Sequence, residues 1–174
     1  MAAATDARQR PGFPTGFRKE SVTESVSPDL PFLGLPHRPP FVFVRELVKC
    51  DPGVSAEAIT SFAADDPIFA GHFPGNPLVP GVILTEALAQ TAGIAAAAPG
   101  HSKSAKPMFL LSAIRSMKFF RPIRPGERIE LRAEKLGHMG DLVQFKVEAS
   151  VSGVRVAEGQ LVLSAAADSA AGPA

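Results

Sequence analysis

One carboxylate and one imidazole share a stretch that is otherwise apolar and uncharged. From Gly71 to Gly100 the only charged residue is Glu86, and the only imidazole is His72, fourteen residues before it. A lone carboxylate among apolar side chains is costly and tends to take up a proton. A neutral carboxylic acid and a neutral imidazole in one dry pocket are a general acid and a general base. The plainer alternative is that Glu86 points to solvent or pairs with a distant arginine, and that His72 is a hydrogen-bonded loop residue. Spacing alone leaves both open.

Positioning such a pair takes a loop and a helix. Three prolines and three glycines between Gly71 and Gly81 forbid regular structure there. Pro80 suits the first turn of a helix. Val82, Ile83, Leu84, Ala87, Leu88 and Ala89 follow without strand alternation, and Thr91, Ala92 and Ile94 continue them until Pro99-Gly100 stops the run. Apolar residues cover nearly every side, so this helix is expected to be buried all round. Leu78 to Ala98 has the length of a membrane span. It also carries Glu86, Gln90 and two threonines and lacks basic flanks, so a core helix is expected instead.

Composition narrows the class. The chain has 174 residues, 45% hydrophobic and 20% charged, which suits one domain with its own core. A net charge of +1 gives no global case for nucleic acid or an anionic membrane. Cys50 is the only cysteine, which excludes an internal disulfide and a multi-cysteine metal site and fits a reducing, cytoplasmic setting. The chain has no tyrosine, so none can act at the site. No two histidines have helical metal-ligand spacing, so no zinc site is expected.

Residues 1–28 are Ala, Arg, Pro, Ser and Gly in no periodic order and are expected to be a disordered tail, as are residues 165–174. No apolar run follows the early charges, so no secretory signal is expected; Asp6, Glu20 and Glu24 weaken a transit peptide. Residues 29–164 carry the folded domain. Asp29–Gly34 reads as one helical turn, and the prolines of Leu35–Pro40 hold that segment extended. Strands are expected over Phe41–Lys49, Val54–Ala64, Met108–Phe120, Arg128–Leu136, Val143–Val151 and Val154–Leu163. Turns fall at Asp51-Pro52-Gly53, Gly137–Asp141 and Ser152-Gly153. Ile129, Leu131 and Ala133 alternate with Glu130, Arg132 and Glu134, the pattern of a sheet with one wet face. Two strands, one long helix and four strands make an α+β fold rather than a doubly wound one. One sheet leaves a wrapped helix partly uncovered and has free edges, so pairing of two chains is a physical expectation.

Several motifs together carry a family likeness. They are Leu35-Pro36-His37-Arg38-Pro39-Pro40-Phe41, Gly71-His72-Phe73-Pro74-Gly75-Asn76-Pro77, Val79-Pro80-Gly81-Val82 and Glu86-Ala87-Leu88-Ala89-Gln90. Phe109-Leu110 to Phe119, Arg121-Pro122 and Pro125-Gly126-Glu127 add to them. The chain resembles the 3-hydroxyacyl-[acyl-carrier-protein] dehydratases of fatty acid synthesis, in their non-isomerising, FabZ-type branch, from about Leu30 to Ser164. The resemblance implies a hotdog fold, a long central helix wrapped by a curved antiparallel sheet. It implies a homodimer, in some cases a trimer of dimers, with His72 of one chain facing Glu86 of the other. It implies a 3-hydroxyacyl substrate on the phosphopantetheine arm of acyl carrier protein, and neither a metal nor a redox cofactor.

Dehydration needs a base at C2, an acid for the C3 hydroxyl and a donor at the thioester carbonyl. His72 is expected as the base and protonated Glu86 as the acid. Gly81 opens the helix, where a free N–H and the helix dipole would polarise the carbonyl. Phe73 would shape the pocket or simply pack. Gln90, one turn past Glu86 on the same face, would hold the carboxyl group or pack at the interface. Val82 completes the expected substrate-binding set. The family often has tyrosine near Met108-Phe109, so one of those two would gate the acyl tunnel here; Pro39 also stands where tyrosine is common. His37 reads as structural and far from the acid–base pair, and His101 and His138 as solvated loop residues. Arg115, Lys118, Arg121 and Arg124 read either as a solvated strand face or as a docking patch for the acidic carrier protein. The competing functions are a hotdog acyl thioesterase, an enoyl-CoA hydratase and a non-catalytic acyl-binding protein.

Overall fold

A computed structural model describes Leu33 and residues 35–97 and 108–166. Both tails up to residue 28 and from 167, most of the Asp29–Gly34 segment and His101 lie outside the described residues. The elements run β1 (Glu46–Asp51), β2 (Ser55–Thr60), α1 (Gly81–Ala96), β3 (Phe109–Phe119), β4 (Ile129–Met139), β5 (Leu142–Val151) and β6 (Val154–Ala165). One six-stranded sheet has the order β1-β2-β4-β5-β6-β3, with every neighbouring pair antiparallel. The helix packs chiefly on β4 and β2. This is the hotdog architecture the sequence leads one to expect.

The core forms where helix and sheet exchange small residues. Ala87, Leu88, Ala92 and Ala95 of α1 are fully buried, as are Ala58, Leu131, Ala133, Val147 and Ala149 of the strands. Alanines on both surfaces let the helix axis come close to the sheet, and the leucines fill the remaining space. β4 follows its expected alternation, with Ile129, Leu131 and Ala133 inward. Thr85 and Thr91 hydroxyls donate to the Gly81 and Ala87 carbonyls at 2.8 Å, so both are satisfied within the helix.

Several boundaries differ from expectation; β2, for one, spans Ser55–Thr60 and ends four residues before Ala64. The first strand begins at Glu46, not Phe41. Val42, Phe43 and Val44 are all buried in succession, so this run does not alternate between two sheet faces. Its backbone pairs with side chains instead: Phe43 N–H donates to Gln90 Oε1 at 2.9 Å, and the Thr60 hydroxyl donates to Phe43 O. Pro80 precedes the helix as its extended N-cap residue, and the helix ends at Ala96, before Pro99. The Ala95 carbonyl accepts Gly53 N–H at 2.7 Å, so the turn between β1 and β2 closes the helix end. β4 continues to Met139 past a bulge at Lys135/Gly137, leaving Gly140-Asp141 as the turn. β6 runs to Ala165, and Ala166 N–H donates to Met108 O at 2.7 Å, so Ala165 and Ala166 belong to the folded part rather than to a tail.

β3 is the irregular strand. Its pairing with β6 shifts between Leu111 and Ala113 and again between Arg115 and Lys118, where Ser116 has φ 55°. Gly159 lies under this second bulge. A Cβ there would sit 2.2 Å from Met117 Sδ, so only glycine lets Met117 pack down. β3 is an edge of the sheet, and Leu110, Ile114 and Phe119 are each half exposed on it.

Candidate functional site

Glu86 projects from the middle of α1 into a cavity of ≈ 210 Å³. Its walls are apolar, among them Leu35, Phe41, Ile94, Phe109 and Leu111. Glu86 is one-fifth exposed. Gln90 Nε2 donates to Glu86 Oε1 at 3.0 Å and to Phe41 O at 3.1 Å, while Gln90 Oε1 accepts Phe43 N–H. Gln90 is 2% exposed, and this one amide ties the carboxyl group, the helix and the Phe41–Phe43 run together. A glutamine one turn below a glutamate reaches it because residues four apart share a helix face.

His72 sits in the loop before the helix. Its Nδ1 lies 3.0 Å from Leu78 O, and Leu78 N–H donates to His72 O at 3.1 Å. Two bonds therefore close the loop at its base. Facing a carbonyl, Nδ1 must carry the proton, so neutral His72 keeps its lone pair on Nε2. A ring held this way presents Nε2 in a fixed direction as a hydrogen-bond acceptor. Phe73 stacks on the His72 ring, centroids 4.1 Å apart, and is half exposed. Gly75 at φ 75° makes the turn in which Asn76 N–H donates to Phe73 O, a conformation that glycine adopts without strain.

The expected site residues thus fall into separate places within one chain. Glu86 and Gln90 share the apolar cavity, and His72 does not line it. His72 and Phe73 form the loop half. Gly81 borders a second cavity of ≈ 340 Å³, together with Val79, Leu84, Phe119, Phe120 and Arg121. Its N–H lies ahead of the first intrahelical bonds, which run from Ile83 and Leu84 to Pro80 O. A Cβ on Gly81 would meet the Phe119 ring at 3.1 Å, so the glycine lets that ring pack against the start of the helix. Val82 is 76% exposed at the start of the helix, which departs from the expectation of a helix buried all round.

His37 requires a correction. Its Nε2 lies 3.5 Å from Glu86 Oε1, so it is beside the carboxylate rather than far from it. The extended 35–40 segment brings it there, a placement that spacing along the chain does not reveal. Phe109 lines the Glu86 cavity, whereas Met108 lies outside that lining and is 45% exposed. Phe119 stands in the sequence only as the end of a motif, and nothing there pointed to its packing on Gly81, which brings two distant segments together. The four cations also separate. Arg121 pairs with Glu127 at 3.0 Å and Arg124 reaches Asn76 Oδ1 at 3.4 Å, both near the His72 loop and Gly81. Arg115 lies by His138 and Met139, and Lys118 stands opposite Glu158.

Charges elsewhere are tuned locally. The Arg124 backbone N–H and then the Arg121 side chain hold the Glu127 carboxyl below its usual range. Burial pushes Glu148 up, against the pull of Arg155. Burial and then Asp51 push the Cys50 thiol up, which keeps it an unreactive thiol. Among the described residues no group of three or more His, Cys, Asp or Glu side chains is placed to hold a metal ion. No described helix is long and apolar enough to cross a membrane.

Comparison with known proteins matches residues 35–160 to the FabA-like domain family. The 3-hydroxyacyl-[acyl-carrier-protein] dehydratase FabZ of Ruminiclostridium cellulolyticum is 41% identical over 127 residues, covering 73% of this chain and 88% of that protein. The enzyme of the same name from Myxococcus xanthus is 38% identical over 128 residues, covering 74% and 84%. Among solved structures, the dehydratase heterocomplex ApeI:P from Xenorhabdus doucetiae superposes with a TM-score of 0.62 at 18% identity, covering 77% of this chain and 89% of that one. A hypothetical thioesterase from Streptococcus pneumoniae with coenzyme A superposes at 0.53 with 10% identity, covering 70% and 84%. At these identities the two structures speak for the fold alone.

Proposed function

The chain belongs to the FabA-like family, and on that premise we propose that it removes water from 3-hydroxyacyl-[acyl-carrier-protein] to give the trans-2-enoyl thioester. The observation that carries this reading is the held His72 ring, with Nδ1 committed to Leu78 O and Nε2 left as base. His72 Nε2 takes the C2 proton. Electron density moves toward the thioester carbonyl, which the Gly81 N–H stabilises at the positive end of the helix dipole. The C2–C3 double bond forms as the C3–O bond breaks, and Glu86 gives its proton to the departing hydroxyl, which leaves as water. Imidazolium and carboxylate then return to neutral by exchange with solvent. Phe73 and Val82 flank the entrance, and the apolar wall that ends at Phe109 takes the acyl chain.

His72 and Glu86 meet across a dimer in this reading, because the Glu86 cavity of one chain is not lined by its own His72. The exposed apolar edge of β3 supports pairing of two copies. Carrier protein, acidic by chemistry, docks beside Arg121 and Arg124, and the setting is cytoplasmic. The test incubates the purified full chain with 3-hydroxyacyl and trans-2-enoyl thioesters of carrier protein. Interconversion followed by mass and by enoyl absorbance is expected, from a dimer by light scattering. Release of free thiol, or full activity in a monomer, would overturn the reaction or the shared site respectively.

A further inference from the structure

The His37-Arg38 dipeptide plays no part in the chemistry above, yet the fold devotes several bonds to it. Arg38 Nη1 donates to the carbonyls of Leu35, Pro36 and His37, at 3.3, 3.2 and 2.8 Å. One guanidinium thereby holds the whole 35–38 segment in place. That segment delivers His37 to the Glu86 cavity, where its ring stacks on Phe41 with centroids 6.1 Å apart. His37 Nε2 then faces Glu86 Oε1 at 3.5 Å. Its Nδ1 is buried with no hydrogen-bond partner.

Those two facts assign the tautomer. A carboxyl oxygen can accept from Nε2 or, when protonated, donate to it, but the second would leave the ring hydrogen on buried, unpartnered Nδ1, so Nε2 carries it. Nδ1 is then a lone pair without a partner, which is a smaller cost than a buried N–H without one. Gln90 Nε2 donates to the same Oε1 at 3.0 Å, so two donors converge on one of the two carboxyl oxygens. The charged groups around His37 are Glu86 on the helix and Arg38 on its own segment; the rest of the cavity wall is apolar apart from Gln90.

We propose that His37 is a positioning residue for Glu86: with the Gln90 amide, its Nε2–H holds Oε1 as the accepting oxygen and so reserves Oε2 for the proton that is transferred. The distance of 3.5 Å is long for a hydrogen bond and closes as negative charge develops on the carboxylate. Both donors are already in place when that charge appears, so no reorganisation is needed at that moment. The proposal rests on Glu86 acting as the acid, and its test therefore includes a measurement that does not depend on turnover.

Three variants separate donation from packing. His37→Phe keeps the ring on Phe41 and removes the donor. His37→Gln returns an N–H at the position of Nε2, and His37→Asn keeps polarity but falls short of Glu86. His37→Phe and His37→Asn are expected to lose about ten-fold in kcat with KM and melting temperature little changed, the worth of roughly one net hydrogen bond. His37→Gln is expected to recover most of the rate. Independently of activity, the infrared C=O stretch of protonated Glu86, identified by its loss in Glu86→Gln at acid pH, is expected to move to higher frequency in His37→Phe and back in His37→Gln. If His37→Phe does not fold, the contrast between His37→Asn and His37→Gln decides. Equal rates in all three variants, or an unmoved stretch in the variants that lack the donor, would overturn the proposal. A wild-type protein that does not dehydrate the thioester, but whose stretch responds as expected, would remove the acid role and leave the His37–Glu86 contact standing.

Discussion

Glu86 and His72 are held in opposite ways. Glu86 stands on a helix whose flanking residues Ala87 and Leu88 are fully buried, and its carboxyl group is tied by a glutamine that is itself bonded to Phe41 and Phe43. His72 stands on a loop closed by its own backbone, next to a half-exposed Phe73. The helix half takes its geometry from the core of the domain. The loop half takes its geometry from the seven residues His72–Leu78 and opens outward. On the proposed reaction, the difference would set a fixed acid in an apolar cavity against a base on an outward-facing loop.

The strongest test of this division is to separate the halves. Glu86→Gln keeps the hydrogen bonds and removes the proton, and His72→Ala removes the base. Each is expected to fold and to lose about 10²–10⁴-fold in turnover, the usual reach of general acid–base catalysis. A heterodimer of one variant chain with the other keeps one intact pair if the halves meet across subunits. Activity in purified, mass-verified heterodimers is the expected result, and none at all would place both halves in one chain.

A milder pair of changes asks whether only the helix half is part of the core. Gln90→Leu leaves Phe43 N–H buried without a partner, which costs about 1–3 kcal/mol and lowers the melting temperature. Gly75→Ala forces φ 75° on a residue with a Cβ and strains the loop alone. Calorimetry is expected to show a clear loss for Gln90→Leu and a smaller one for Gly75→Ala. Equal losses would mean that the loop is as integral to the core as the helix.

The smallest expected effects are in the pH dependence of stability. Glu127, beside the loop half, has its carboxyl depressed by the Arg124 N–H and the Arg121 side chain. A depressed acid stabilises the fold above its unfolded value, and that contribution is lost as pH falls through the folded value. Glu148, on the outer face of β5, is raised by burial, so its sign is reversed. It favours the fold at low pH and opposes it as pH rises from the unfolded to the folded value. Melting curves are expected to show Glu127→Gln less stable than wild type at pH 7, with the gap narrowing in acid. Glu148→Gln is expected to show no such loss at pH 7. A gap for Glu127→Gln that stays constant into acid would point to packing, not charge.

Much of this was present in the order of residues. Prolines and glycines from Gly71 to Gly81 dictated a loop, a largely apolar run dictated a helix buried along most of its length, and alternation in Ile129–Ala133 dictated which face of β4 turns inward. These are local effects of sterics and periodicity, and they need no knowledge of neighbours. The single charge in that helix marked Glu86 for the same reason. Contacts between distant segments were not readable in this way. The Phe41–Val44 run looked like strand because its residues favour extended backbone, but its bonding partner is a glutamine side chain 47 residues away. His37 lay 49 positions before Glu86 and gave no sign of it, because proximity there depends on an arginine gathering three carbonyls. Periodicity assigns a residue to a face of its own element; which residues of other elements meet that face is decided only when the sheet closes on the helix.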